Sequence, residues 1–195
     1  MKVFGKSDGY KVRVTQNRYV VKVNSVLLYD LVSKGVDSIR PIIDKFPGSF
    51  IRGFFDGDGD ATTSISKGKL LFCVRATNTN IEYLRVLDEL LRQFFCIYGN
   101  IHAAHSGGYR GMFEKRRVIF RDPVYVLKID GLDQLSRFAM SIGFEIARKQ
   151  KKLEDAIELV RKYGSAVAAE QWLRLYEKKN GRWKQKIRGP GKPVT

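Results

Sequence analysis

A chain of 195 residues with 44% hydrophobic content is long enough to bury a core, in one or two small domains, without disulfide staples. Its 36 Lys and Arg against 20 Asp and Glu leave a net charge of +16, which points to a polyanionic partner; a basic solubility surface is the competing explanation, and the placement of the charge decides between them. No stretch approaches the roughly 20 apolar residues needed to cross a bilayer, and no apolar run follows the basic residues at the amino terminus. The two cysteines, Cys73 and Cys96, lie in apolar stretches as buried or half-buried small hydrophobes rather than as a disulfide, so an intracellular, reducing compartment is expected.

Residues 1–46 read as strand, strand, helix. The run 7-SDGY-10 followed by 19-YVVKVNSVLLYDLV-32 resembles 106-SGGY-109 followed by 125-YVLKIDGLDQLSRFA-139. In both, a polar turn leads into a Tyr-initiated alternating strand with a matching lysine, Lys22 or Lys128, and then into apolar residues at helical spacing. Chance similarity of short amphipathic pieces competes with a true repeat, and the shared order of elements favours the repeat. The full unit is residues 47–144: a motif helix, strands near 61–66 and 69–76, a helix over 79–95, two more strands and a helix. Residues 1–46 then form the tail of a second unit, with no motif helix ahead of it.

The motif helix, 49–58, carries Gly53 and Gly57 one turn apart on one face, beside the large apolar Ile51, Phe54 and Phe55. A glycine inside a helix costs about 1 kcal/mol relative to alanine, and close approach of a second helix is the compensation that fits two of them. Gly53, Gly57 and Phe54 are therefore the expected interface with a twin helix. At the carboxyl end stand Asp56, Asp58 and Asp60, where the helix dipole disfavours negative charge. A hard divalent cation answers that need: Mg²⁺ typically takes one or two carboxylates with phosphate oxygens and water, and Mn²⁺ or Ca²⁺ fit the same ligands. An ordinary acidic turn is the plain alternative. A twelve-residue calcium loop starting at Asp56 fails, because Ala61 falls where Gly is needed and Lys67 where the bidentate Glu belongs.

The segment 51-IRGFFDGDG-59 resembles the LAGLIDADG motif, with Gly53, Asp56, Gly57, Asp58 and Gly59 at matching positions. The element order over 47–144 is similar to the αββαββα core of the LAGLIDADG homing endonucleases. The resemblance implies an α+β fold with an antiparallel DNA-binding sheet, preceded by the partial repeat and followed by carboxyl-terminal helices. It implies cleavage of both DNA strands at a long, roughly palindromic site, with Asp58 as the catalytic metal-binding carboxylate, the Gly57 carbonyl helping to bind the ion, and Asp56 structural. Ala76 aligns with the polar residue that positions the attacking water in this family; Arg75 and Thr77 are the possible substitutes. Among Arg148, Lys149, Lys151 and Lys152, Lys149 is favoured as the basic residue near the scissile phosphate, although the cluster also reads as a solvated helix start.

The strand 69-KLLFCVRA-76 alternates, Leu70, Phe72 and Val74 facing the core and Lys69, Leu71, Cys73 and Arg75 facing out. Lys69 and Arg75 suit phosphates and guanine edges, and Asn100, His102, Arg110, Arg121 and Tyr125 are further DNA-binding candidates from later strands and loops. His102 and His105 are three apart, which in a regular strand sends them to opposite faces and argues against a metal pair. Residues 106–117 read as a long basic arm. Helices follow over 145–164, stopped by Gly164, and roughly 165–179; residues 180–195 read as a disordered basic tail. The twin helix comes either from a second copy, making a homodimer, or from another polypeptide, or it was lost, leaving a chain incompetent alone. Two rivals remain: a non-cleaving binder or intron RNA maturase on the same fold, and a basic structural RNA-binding protein.

Overall fold

A computed structural model describes residues 12–15, 18–21, 33, 35–113, 116–179 and 181–186. The chain divides into two compact units, Met1–Pro41 and Ile42–Thr195. In the first, β1 (Val12–Thr15) and β2 (Arg18–Val21) pair antiparallel, Val12 opposite Val21 and Thr15 opposite Arg18. The helix expected over the end of 19–32 lies outside the described residues. Helix α1 (Val36–Lys45) runs through the division between the units.

The second unit begins with α2 (Pro47–Asp58), which opens on a proline, whose missing N–H is no loss in the first turn. Then come β3 (Gly59–Ser66), β4 (Lys69–Asn78), α3 (Ile81–Phe95), β5 (Asn100–His105), β6 (Tyr109–Phe113), β7 (Arg116–Phe120), β8 (Val124–Ile129) and α4 (Leu132–Ser141). Four strands form one antiparallel sheet in the order β3-β4-β8-β5. Lys67 and Gly68, with φ of 49° and 72°, make the two-residue turn between β3 and β4 whose left-handed backbone matches the twist of the flanking strands. Asn80 caps α3 by accepting from the Glu82 amide at 3.0 Å.

The sheet is two-faced, as the alternation in 69–76 predicts. Leu70 and Val74 are buried while Lys69, Leu71 and Arg75 are exposed. The core gathers on the Val74 side: Ile51 and Phe55 from α2, Leu84, Leu87, Leu90 and Leu91 from α3, Leu127 and Ile129 from β8, and Leu135 and Phe138 from α4. Phe55, Phe138 and Phe144 meet edge-on, with centroids 5.0 to 6.4 Å apart.

Several expectations are corrected. The presumed basic arm contains a hairpin: β6 pairs with β7, Tyr109 opposite Phe120 and Phe113 opposite Arg116, because β-forming residues on both sides of a two-residue connection favour pairing over an open loop. The carboxyl-terminal helix α5 is assigned as Ala147–Leu175, broken at Gly164 (φ 73°, ψ 162°) where the sequence stops it, but it ends before 176. There β9 (Tyr176–Lys179) pairs with β10 (Arg182–Gln185), a hairpin at positions read as helix end and tail. The rest of the tail, 187–195, lies outside the described residues. Cys96 is exposed rather than buried, since it holds the left-handed position (φ 51°) that ends α3 and turns the chain outward; Cys73 is half-buried. No helix among the described residues is long and apolar enough to cross a membrane.

Candidate functional site

Helix α2 presents two faces. Ile51 and Phe55 are fully buried, whereas Gly53 and Gly57 are exposed, and a Cβ built on either would meet nothing within 4 Å among the described residues. Phe54 is half-buried between Phe50 and Tyr83, at centroid distances of 6.3 and 6.4 Å, and borders the open strip rather than lying on it.

Asp58 closes α2 with its carboxylate exposed. Its Oδ2 accepts from Asn78 Nδ2 at 3.2 Å, and Asn78 Oδ1 in turn accepts the Asn80 amide at 2.8 Å, which orients the Asn78 side chain. Sequence reasoning missed Asn78. The aligned position, Ala76, is fully buried opposite Gly59 and Leu127; Asn78, two residues on, lies on the same side of β4 where the strand runs out beside Asp58. Arg75 and Thr77 stand on the other face. The available signal was the pair of asparagines flanking Thr79 just before a helix.

Asp56 and Lys149 tie α2 to α5. The Asp56 carboxylate accepts the amides of Glu145 (3.0 Å) and Ile146 (3.2 Å), which lead into α5. Lys149, in the first turn of α5 and only 5% exposed, donates from Nζ to the carbonyls of Phe55 (3.1 Å), Asp56 (2.7 Å) and Gly59 (2.6 Å). An anion thus serves the start of one helix and a cation the end of the other, each matched to the local dipole. Burial lowers the Lys149 ammonium pKa below its ordinary value, an effect that the Asp60 and Asp56 charges oppose. Lys149, expected beside the scissile phosphate, is instead directed at protein carbonyls. Lys152 pairs with Asp60 at 3.2 Å, so the acidic cluster is partly neutralised by the chain itself.

On the open face of the sheet, register aligns Asp60, Arg75, Lys128 and Asn100 in one row across all four strands, spanning about 14 Å at the usual strand spacing. His102 joins the next row, opposite Val126. Lys69 is exposed on the same face further along β4. Lys128, which sequence reasoning matched only as a repeat position, belongs to this surface; its hydrogen bond to Asp130 raises its pKa. Tyr125 pairs with Asn78 and Ala103 and so points to the opposite face from Arg75 and Asn100. Arg121 is exposed in the connection before β8, outside the rows; Arg110 is in β6. A bulge between Ala103 and His105 returns His105 to the face of His102, overturning the parity argument, and the His105 ring stacks on Tyr109 at 4.2 Å.

Among the described residues no group of three His, Cys, Asp or Glu side chains is placed to hold a metal. One exposed carboxylate at a helix end, beside the Gly57 carbonyl, fits a Mg²⁺-type ion only where further oxygens come from outside this unit.

A sequence model described as the LAGLIDADG-like domain matches residues 45–143. An uncharacterized protein of Methanocaldococcus jannaschii, MJ0398, is 26% identical over 151 residues, 77% of this chain and 52% of its own length, so the chain spans about half of that relative. Two solved structures are similar: the LAGLIDADG meganuclease I-AabMI bound to uncleaved DNA (TM-score 0.43, 16% identity, 60% of this chain and 38% of that one), and an archaeal intron-encoded homing endonuclease complexed with DNA (TM-score 0.41, 17% identity, 62% and 72%).

Proposed function

Because this chain belongs to the LAGLIDADG family, we propose that it is a site-specific DNA endonuclease that cuts both strands, working with a second motif helix packed on the Gly53–Gly57 strip of α2. The observation that carries this reading is the placement of Asp58: an exposed carboxylate ends the helix on which a Cβ added at Gly53 or Gly57 meets nothing within 4 Å among the described residues. A twin helix on that strip puts two Asp58-type carboxylates side by side, which completes the oxygen set that one unit lacks. A second copy of the chain, giving a homodimer and a roughly palindromic target, is the simplest source of that helix; a further polypeptide is the alternative.

Asp58, with the Gly57 carbonyl, would hold the divalent ion, Mg²⁺ or in its place Mn²⁺ or Ca²⁺. When bound, such an ion supplies a more acidic water and neutralises charge on the leaving oxygen. The chain's own residues prepare the rest. Asn78 orients one Asp58 oxygen, leaving Oδ1 without a protein hydrogen bond among the described residues. Lys149 acts through the backbone by holding the carbonyls on either side of Gly57 and Asp58. Lys69, Arg75, Lys128, Asn100 and His102 present cations and amide or imidazole groups to a duplex laid along the sheet, positioning the phosphates and reading base edges. Arg121 contributes from the rim, whereas Tyr125 faces away from this surface.

Ala76 favours a second reading, a DNA binder that does not cut, because it supplies no polar group at the aligned water-positioning place. One experiment separates the two. The wild-type chain is expected to cleave members of a duplex DNA library only with Mg²⁺, and Asp58→Asn to lose cleavage by at least about 100-fold, the scale of losing one transition-state contact, with unchanged melting. Undiminished cleavage by the variant sinks the assignment of Asp58. Tight binding without cleavage of any sequence by the wild type supports the binder.

A further inference from the structure

Beyond residue 143, where the family match ends, the chain adds α5 and the β9–β10 hairpin. After the break at Gly164, α5 lays Ala168, Ala169 and Trp172 against Leu70 on the core side of the sheet. The hairpin is then fixed by aromatic contacts. Trp172 stacks on Tyr176 at 4.0 Å and meets Trp183 edge-on at 6.1 Å. Trp183 Nε1 donates to the Thr63 carbonyl of edge strand β3 at 3.0 Å. Tyr176 donates to Asp155 at 2.6 Å.

This anchoring places Arg182 and Lys184, the neighbours of Trp183, on the lining of a cleft of about 1030 Å³. The same cleft is lined by Gly57, Asp60 and Arg75 and by Arg148, Lys151 and Lys152 from the start of α5. Two of its cations are answered within the protein, Lys152 by Asp60 (3.2 Å) and Lys151 by Asp155 (3.1 Å), and Lys149 is occupied by carbonyls. The side chains of Arg75, Arg148, Arg182 and Lys184 take no part in the hydrogen bonds and ion pairs among the described residues. Four unanswered cations around one concave space repel each other unless a polyanion enters.

We propose that this cleft clasps the phosphodiester backbone of the DNA duplex beside Asp58, with Arg182 and Lys184 as phosphate contacts that the hairpin contributes. The proposal rests on the DNA-binding reading of the sheet and extends it past the LAGLIDADG core. Continuity selects this occupant: Arg75 belongs both to the cleft and to the open-face row with Lys128 and Asn100, and Gly57 adjoins Asp58, so a strand lying on the sheet leads directly into the cleft. Backbone contacts of this kind add affinity without sequence preference, so the target need not be known to detect them.

The test is salt-dependent binding of the full chain to mixed-sequence duplex DNA and to duplex RNA of the same sequence. Each phosphate contact steepens the slope of log affinity against log salt by about 0.9, so Arg182→Gln with Lys184→Gln is expected to flatten the DNA slope by about 1.8. Trp183 is retained, and melting should not change. Arg137→Gln with Lys162→Gln, exposed positions outside the cleft, removes the same charge and should leave the slope at its wild-type value. Equal flattening in both variants, or none in the first, overturns the proposal. So does a hairpin effect confined to RNA. A wild-type chain that binds no duplex DNA, by contrast, removes the endonuclease reading itself and the cleft assignment with it.

Discussion

Lys149 commits one ammonium to three carbonyls around the end of α2. Its removal takes the charged donor from the part-buried Asp56 and Gly59 carbonyls at a helix terminus, while the Phe55 carbonyl keeps the Gly59 amide. Lys149→Met is expected to lower stability by about 3 kcal/mol, at the upper end for charged hydrogen bonds, as read from urea unfolding. A phosphate-contacting lysine predicts the reverse pattern, with cleavage lost and stability kept, so one variant measured both ways separates the two roles. The Asp56 carboxylate is the complementary half of the same device, and it supports the structural part the motif resemblance implies for it.

At the scale of elements, α5 is two helices that a single residue separates. Gly164 adopts φ 73° and ψ 162°, a region open to glycine and closed in practice to side chains. Gly164→Ala is expected to cost about 1–3 kcal/mol from backbone strain alone, since an added Cβ meets nothing within 4 Å. The measurement is thermal melting of the variant beside the wild type, and an unchanged midpoint would contradict the strain. The break matters because the second half of α5 carries Trp172, the ring on which the hairpin is built. Tyr176 belongs to the same anchor: burial and its hydrogen bond to Asp155 raise its pKa, so it stays a neutral donor across ordinary pH.

At the scale of the whole molecule, the proposed twin helix makes the open strip on α2 the place to test association. Within one chain a Cβ added at Gly53 meets nothing within 4 Å among the described residues, so a larger residue there should leave the fold intact and even gain up to about 1 kcal/mol of helix propensity. Against a twin helix the same side chain prevents close approach. Gly53→Leu is therefore expected to melt no lower than the wild type at high dilution, to sediment as a monomer at micromolar concentration and to lose cleavage. Wild-type chains that sediment strictly as monomers at that concentration would rule out the homodimer and leave the twin helix to another polypeptide.

By itself the sequence determined the elements of the core and the place of Asp58 at the carboxyl end of α2, because both rest on local rules. Alternation in 69–76 assigns the two faces of β4, helical spacing and paired glycines mark α2, and the Asp-Gly-Asp-Gly run is recognisable without knowing its neighbours. Gly164 was legible as a stop for the same reason. What only the tertiary structure decided is which groups meet across the chain. Asn78 reaches Asp58, and Lys149 turns to carbonyls 90 to 94 residues away rather than to open space. A bulge of one residue returns His105 to the face of His102, and strand parity removes Tyr125 from the face of Arg75. Trp183 seats a hairpin where composition alone suggests a loose basic tail. Each of these depends on register or on the packing of one distant element against another, and the free energy of such contacts is set by three-dimensional proximity that no local pattern encodes.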